Sequence, residues 1–424
     1  METPKEITGL VDVSQGRNKK IENVIDLKKE IELSFKEETT KIIETILCGA
    51  ISLGASDIHI EAEKEEVKLR MRLDGLLQDI LFFEKPIYES LLSRIKLLSG
   101  IKLNISDRPQ DGRFSVKTAS SLIEIRASVL PAEEGEAIVL RVLNPKSVMG
   151  LDVLGLRKDL LELFKKEIKK PNGMIVVTGP TGSGKTTTLY AFLKEVCRPE
   201  IKIITIEDPV EYRLEGVSQT QVAPEKGYDF VSGLRAIVRQ DPDVILVGEI
   251  RDIETANIGL QSSLTGHLVL TTLHTNDAAG TIFRLINLGA NPADLGPAIN
   301  LIIAQRLVRK ICPSCAKFEA PSSQELKKIK IALKKPPKNI KIPKAGQCKK
   351  CNFTGYKGRI GIYEAFLVDD EMEKLILKKP SVSEIKELAI KRGMKTIYCD
   401  GLIKVLAGIT TIEELDRVAS EEEQ

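Results

Sequence analysis

Nine consecutive residues, Gly179, Pro180, Thr181, Gly182, Ser183, Gly184, Lys185, Thr186 and Thr187, carry the plainest chemistry in the chain. They follow the apolar run MIVVT, open a helical pattern, and fit the spacing G-x-x-x-x-G-K-[ST]. Glycines at these positions let backbone N–H groups turn toward the β-phosphate of a nucleotide. Lys185 places a positive charge beside the β- and γ-phosphates, and the Thr186 hydroxyl can ligate Mg²⁺. The loop therefore predicts ATP with Mg²⁺ as its ligand. It does not say what the energy of hydrolysis is used for.

Phosphoryl transfer also needs carboxylates near the loop, to hold the metal and orient the attacking water. Two strand-like runs end in them: IITIED at Glu207 and Asp208, and DVILVGE at Glu249. Neighbouring strands of a parallel sheet gather their C-terminal ends at one edge, so both acids can meet the loop. For Glu207 the plainer alternative is a helix cap. Two of the chain's three histidines, His267 and His274, fall in the one run TGHLVLTTLHT. A strand-end histidine is by default a structural group, and only its company argues otherwise.

A second set of residues suggests a metal. Cys312-Pro-Ser-Cys315 and Cys348-Lys-Lys-Cys351 make two C-x2-C pairs, each suited to one corner of a tetrahedral zinc site. The 32 residues between the pairs exceed the gap of a compact zinc ribbon. Cys48, Cys197 and Cys399 are isolated and read as small apolar residues.

The elements that must position these groups are legible as changes of texture. Residues 1–40 are rich in Lys and Glu and read as a charged arm or short helix. From 41 to 147, helical spacing up to Gly54 gives way to alternating runs such as VKLRMRLDGLL, in which Asp74-Gly75 marks a turn. This is the pattern of a small α+β domain with antiparallel strands. From 148 to 308, short apolar runs (MIVVTG, KIITIED, DVILVGE, HLVLTTLHT) alternate with helices, as in a mostly parallel sheet covered on both faces. Residues 309–362 hold the cysteines, and helical patterning closes the chain over 363–424. The fold class is α/β, a P-loop domain preceded by a small α+β domain.

Several stretches together resemble the secretion ATPase superfamily of type II secretion and type IV pilus assembly. GPTGSGKTTTLY, ITIEDPVEY, LRAIVRQDPDVILVGEIRD and TGHLVLTTLHTNDA match that family's Walker A, Asp box, Walker B and His box, in its order. GASDIHIE, LRMRLDG, RPQDGRF and LPAEEGEAIVLRVL extend the match through the small domain, so that it covers roughly residues 40 to 418. The resemblance implies a RecA-like ATPase domain and a hexamer. It casts Glu249 as the base or water-orienting group, Glu207 as a helper in placing Mg²⁺ and water, and His267 and His274 as site histidines. It also implies that Arg126, Arg141 and more weakly Arg113 reach the nucleotide from the small domain. Without it, arginine on an amphipathic strand is simply a solvated face. Assembly and secretion members carry a tetracysteine element where retraction members generally lack one, which strengthens the zinc reading and favours an assembly motor. Such a motor acts on a membrane platform protein from the cytoplasmic face of the inner membrane.

Formal net charge is +3, from 63 basic and 60 acidic residues, and aromatic residues make up 4% with no Trp. Neither feature suits a nucleic-acid translocase, the competing class, which would need a basic groove and stacking platforms. A retraction or DNA-uptake motor is the nearer alternative. Between Arg309 and Arg359, fifteen Lys or Arg face two Asp or Glu, which predicts either a solvated loop or a surface for anionic lipid or an acidic partner. The first ten residues lack a signal-peptide pattern, and no run of about 18 apolar residues occurs, so a cytoplasmic protein is expected. About 40 residues, rich in Lys and Glu, precede the small domain, where larger family members carry a docking domain, and the family's C-terminal pattern is present at Asp400–Leu415. The far end is expected to be complete.

Overall fold

The computed structural model describes residues 9–13, 21–143, 150–333 and 339–419. They form two compact units. The first comprises residues 1–146 with Cys312–Cys315 and Gly346–Lys357, and the second the remainder.

The first unit is built on a seven-stranded sheet. Its elements are β1 (Leu10–Asp12), α1 (Val24–Ser34), α2 (Thr39–Leu53), β2 (Asp57–Ala62), β3 (Val67–Leu73), β4 (Leu76–Phe83), α3 (Lys85–Ser99), β5 (Gln110–Lys117), β6 (Leu122–Ala132) and β7 (Gly135–Leu143). The strand order is β1-β5-β6-β7-β2-β3-β4, antiparallel except where β1 joins β5. Alternation makes the sheet one-sided: Val67, Leu69, Met71 and Leu73 of β3 are buried while Lys68, Arg70 and Arg72 are not. Asp74 and Gly75 both take positive φ (49° and 86°) in the predicted turn. The described residues of the charged arm, 9–13 and 21–40, are built into this unit. Val11 pairs β1 into the sheet edge, and Leu27 and Ile31 of α1 are fully buried. Residues 1–8 and 14–20 lie outside the described residues.

The second unit contains α4 (Lys158–Glu167), β8 (Gly173–Thr178), α5 (Lys185–Val196), β9 (Ile203–Glu207), β10 (Ser218–Gln221), α6 (Phe230–Val238), β11 (Val244–Val247), α7 (Ile253–Leu264), β12 (Leu268–Leu273), α8 (Ala279–Leu288), α9 (Pro292–Ala298) and β13 (Ile299–Ile311). It continues with β14 (Lys317–Glu319), α10 (Ser323–Ala332), β15 (Ile342–Lys344), β16 (Tyr356–Leu367), α11 (Asp370–Ile376), α12 (Val382–Lys391), α13 (Ile397–Leu406) and α14 (Ile412–Val418). The main sheet runs β10-β9-β11-β12-β8-β13-β16, and every pairing from β10 to β13 is parallel. Its central strands are buried on both faces, all six residues of β8 and of β12 among them. That is why they read as unbroken apolar runs. The strand carrying His274 at its end, β12, lies between the strand of the glycine loop and the strand of Glu249, the RecA-like order. Among the described residues no helix is long and apolar enough to cross a membrane.

Candidate active site

Because β8, β12, β11 and β9 are parallel neighbours in register, their C-terminal ends meet along one edge. The glycine loop leaves β8 there. Gly179, Gly182 and Gly184 have φ of 143°, 78° and 89°, a region that side chains with a Cβ rarely adopt. Lys185 opens α5, whose first-turn N–H groups have no intrahelical partner and face the loop. Its ammonium folds back over the loop and donates to the carbonyls of Gly179 (2.7 Å) and Pro180 (3.3 Å). Burial lowers its pKa to about 8 although Glu249 pulls the other way. Thr186 and Thr187 follow, half-buried in the same turn, and Thr181 and Gly182 form the exposed tip.

Glu249 is held by its neighbours on both sides. Gly248 N–H donates to Ile206 of β9 (2.8 Å), Ile250 N–H to Thr272 of β12 (3.0 Å), and the Thr272 hydroxyl to Gly248 (2.7 Å). The carboxylate faces His274 Nε2 at 3.5 Å and forms an ion pair with Arg251, which also lies 3.8 Å from Asp208. His274 is fixed in turn. Thr275 N–H donates to the Thr178 hydroxyl (2.8 Å), and the two hydroxyls are 2.7 Å apart, so the ends of β8 and β12 are tied. Burial first and then the charge of Lys185 push the His274 pKa down, so its ring is neutral at pH 7. Lys185, Glu249 and His274 are thus brought together.

Two further predicted site residues are placed differently. His267 immediately precedes β12 and bonds through Nδ1 to the Ser262 carbonyl at 3.0 Å. Six strand residues separate it from the loop edge, about 20 Å. Sharing a short run does not bring two residues together when the run is an extended strand. Glu207, 3% exposed, ends β9 at that edge, and its carboxylate is taken up by neighbours within the unit. The Thr205 hydroxyl (2.5 Å) and Gln219 amide (3.2 Å) donate to one carboxylate oxygen, and the buried Tyr190 hydroxyl donates to the other. Burial raises its pKa against these bonds. Tyr190 is the residue that sequence reading missed: a tyrosine on the buried face of α5 needs a hydroxyl partner, and Glu207 supplies it.

In the first unit the three predicted arginines are direct cross-strand neighbours. Arg113 pairs with Arg126, Arg126 with Arg141, Arg141 with Asp57, and Asp57 with Arg72. Directly opposed residues share a face, so one row across five strands carries four arginines around a single acid. Asp57, 6% exposed, accepts from Arg141 Nε (3.0 Å) and lies 3.3 Å from Arg72 Nε. Arg126 lies 3.5 Å from Glu124. Asp57 and Arg72 were also missed, because only register reveals the row.

The four cysteines form a ligand set. All four sulfur atoms lie within 4.8 Å of one another, with Cys312–Cys348 and Cys315–Cys351 at 3.8 Å and Cys348–Cys351 at 3.6 Å. Four thiolates at about 2.3 Å from one zinc ion would sit about 3.8 Å apart, so the geometry fits. The Gly355 N–H lies 3.3 Å from Cys351 Sγ, the amide contact expected beside a thiolate ligand. A Cβ at Gly346 would meet the Cys315 carbonyl at 2.1 Å, so the second knuckle can approach the first only with glycine there. The basic segment is partly consumed internally: Arg309, Lys328 and Lys344 pair with Glu414, Asp416 and Glu325. Lys334, Lys335 and Lys338 lie outside the described residues.

A glycine loop opening a helix, with a carboxylate and a neutral histidine on adjacent strand ends of a parallel sheet, defines a P-loop ATPase. The pattern of the family described as Type II/IV secretion system protein matches residues 33–417. The Type II secretion system ATPase E of Vibrio cholerae is 44% identical over 385 residues, 90% of this chain and 75% of that protein. The Type IV pilus assembly ATPase PilB of Thermus thermophilus is 42% identical over 376 residues, 88% of this chain and 42% of that protein. Among solved structures, the pilus retraction motor PilT with bound ADP superposes with a TM-score of 0.60 at 27% identity, covering 89% of this chain and 97% of that one. The chain belongs to the Type II/IV secretion system protein family, and it is an ATP hydrolase.

Proposed function

We propose that this chain is the cytoplasmic motor of a type II secretion or type IV pilus assembly system, working as a homo-hexamer against a platform protein at the inner-membrane face. The observation that carries the enzymatic part is the convergence of Lys185, Glu249 and His274 on one sheet edge. In this reading residues 179–187 hold the phosphates of ATP, and Thr186 completes the Mg²⁺ shell. Glu249 orients the attacking water or takes its proton, and neutral His274 senses the γ-phosphate region. Glu207 acts behind the site by fixing the end of β9. Arg126 and Arg141, with Arg113 at the end of their row, supply positive charge to the transition state. Zn²⁺ is the metal we assign to Cys312, Cys315, Cys348 and Cys351, in a closed structural role. The cysteine set favours the assembly over the retraction task.

The test separates chemistry from task. Purified protein should hydrolyse MgATP without nucleic acid, sediment as a hexamer when nucleotide is present, and gain activity with the platform protein's cytoplasmic domain. Stimulation by DNA alone, with none by the platform domain, would sink the assembly reading in favour of a translocase.

A further inference from the structure

Gln305 lies in a strand whose neighbours are almost all apolar, in the run LIIAQRLV, and is 1% exposed. The ladder between β13 and β8 ends at the pair Ala304 and Thr178, so Gln305 falls just beyond it, beside the first residue of the glycine loop. A buried carboxamide must bond at both ends, and this one does. Its Nε2 donates to the Ser183 carbonyl (2.8 Å), and its Oε1 accepts from the Thr188 hydroxyl (2.7 Å). Its backbone carbonyl lies 2.4 Å from where a Cβ on Gly179 would stand. One residue of β13 therefore touches the loop at its start, its middle and the first turn of α5. Among the described residues the buried Ser183 hydroxyl has no hydrogen-bond partner, so at that position Gln305 holds the loop through its carbonyl.

We propose that Gln305 is a positioning residue for phosphate binding. A trans peptide points its C=O and the next N–H in opposite directions. Fixing the Ser183 carbonyl toward β13 therefore turns the Gly184 N–H away from β13, into the loop. The same amide holds Thr188, one turn after Lys185, so the loop and the start of α5 share one brace. The residue type is dictated by the two contacts. A carboxylate would oppose the Ser183 carbonyl with a second acceptor, and an apolar side chain would leave that carbonyl without its donor and take this acceptor from the Thr188 hydroxyl. Gln305 itself touches no phosphate in this account. The inference rests on the reading of residues 179–187 as an ATP site.

The test uses the full-length protein, with MgADP binding by calorimetry and MgATP turnover by steady-state kinetics. Q305M should weaken MgADP binding and raise KM for MgATP by about 10- to 30-fold while changing kcat by less than about threefold, because loop contacts serve ground and transition states alike. T188V should show a smaller change in the same direction, and the double variant no more than Q305M alone. In Q305E, affinity relative to wild type should recover as pH falls from 8 to about 5.5, as the side chain regains a proton to donate. A purely structural role would lower the melting temperature and leave these ratios and the pH response unmoved. Wild-type affinity in Q305M overturns the inference, and if Q305M does not fold, unchanged KM in T188V does so. Absence of MgADP binding by the wild-type chain would overturn the ATP-site reading instead.

Discussion

Lys185 shows how far residue chemistry alone can be carried. Its role follows from the loop spacing, but its low pKa follows only from burial, which the sequence does not display. An ammonium with a pKa of about 8 in the free protein binds phosphate well below that pH and loses its charge above it. We therefore expect kcat/KM for MgATP to fall as pH rises through about 8, approaching tenfold per unit, and K185R to bind weakly but without that inflection. Glu249→Gln should keep ATP affinity near wild type and lower turnover by about 10²- to 10⁴-fold, measured by nucleotide binding beside phosphate release. Full turnover in that variant would remove Glu249 from the mechanism. Glu249 and His274 were legible because each ends an apolar run that had to be a buried parallel strand. The placements of His267 and Glu207 were not legible for two physical reasons: an extended strand carries His267 to the far end of β12 from His274, and the direction of the Glu207 carboxylate depends on partners such as Tyr190, which no local pattern contains.

At the level of strands and knuckles, Asp57 is shared by Arg72 and Arg141, so D57N should remove charge from the middle of the arginine row while nearly preserving shape. We expect it to destabilise the first unit by about 1–3 kcal/mol, read as a lowered urea midpoint, with a simultaneous loss of ATPase activity if the row serves the nucleotide. Removing zinc by chelation, or replacing Cys351 by serine, should release one equivalent of metal and expose residues 312–357 to protease while MgADP binding persists. Loss of metal without any change in cleavage would argue against a structural site. The alternation that makes β3 and β6 one-sided was readable directly. The strands β10 and β13 were not, since the first is short and polar and the second continues past the end of its pairing with β8.

On the scale of whole units, polar residues buried without solvent do the long-range joining. Asp400, wholly buried, accepts from Arg157 (2.6 Å), Lys404 (2.6 Å) and the Tyr363 N–H (2.8 Å), linking the start of α4 to β16 and α13. D400A would leave the buried Lys404 ammonium without its carboxylate and Arg157 with only the exposed Asp159, and we expect a loss of about 3–5 kcal/mol in the second unit, measured by denaturant unfolding. Such joins explain the limits of segmentation by eye. A change of strand texture near residue 147 was visible in the sequence. The grouping of the cysteine knuckles with the first unit was not, because contacts like that of the Val24 N–H with Asn352 Oδ1 (2.9 Å) span more than three hundred residues and have no period. The central pair of the arginine row, Arg126 with Arg141, by contrast, is set by a single short connection. β6 and β7 are joined by a two-residue turn at Glu133–Glu134 and are paired residue by residue back to Glu124 and Leu143. One residue inserted in that turn would slide β7 by one place, swinging Arg141 into the core and Leu140 out into water. Lineages that vary this turn are thus sieved for folding before they are ever sieved for catalysis, and the charges are inherited together or lost together.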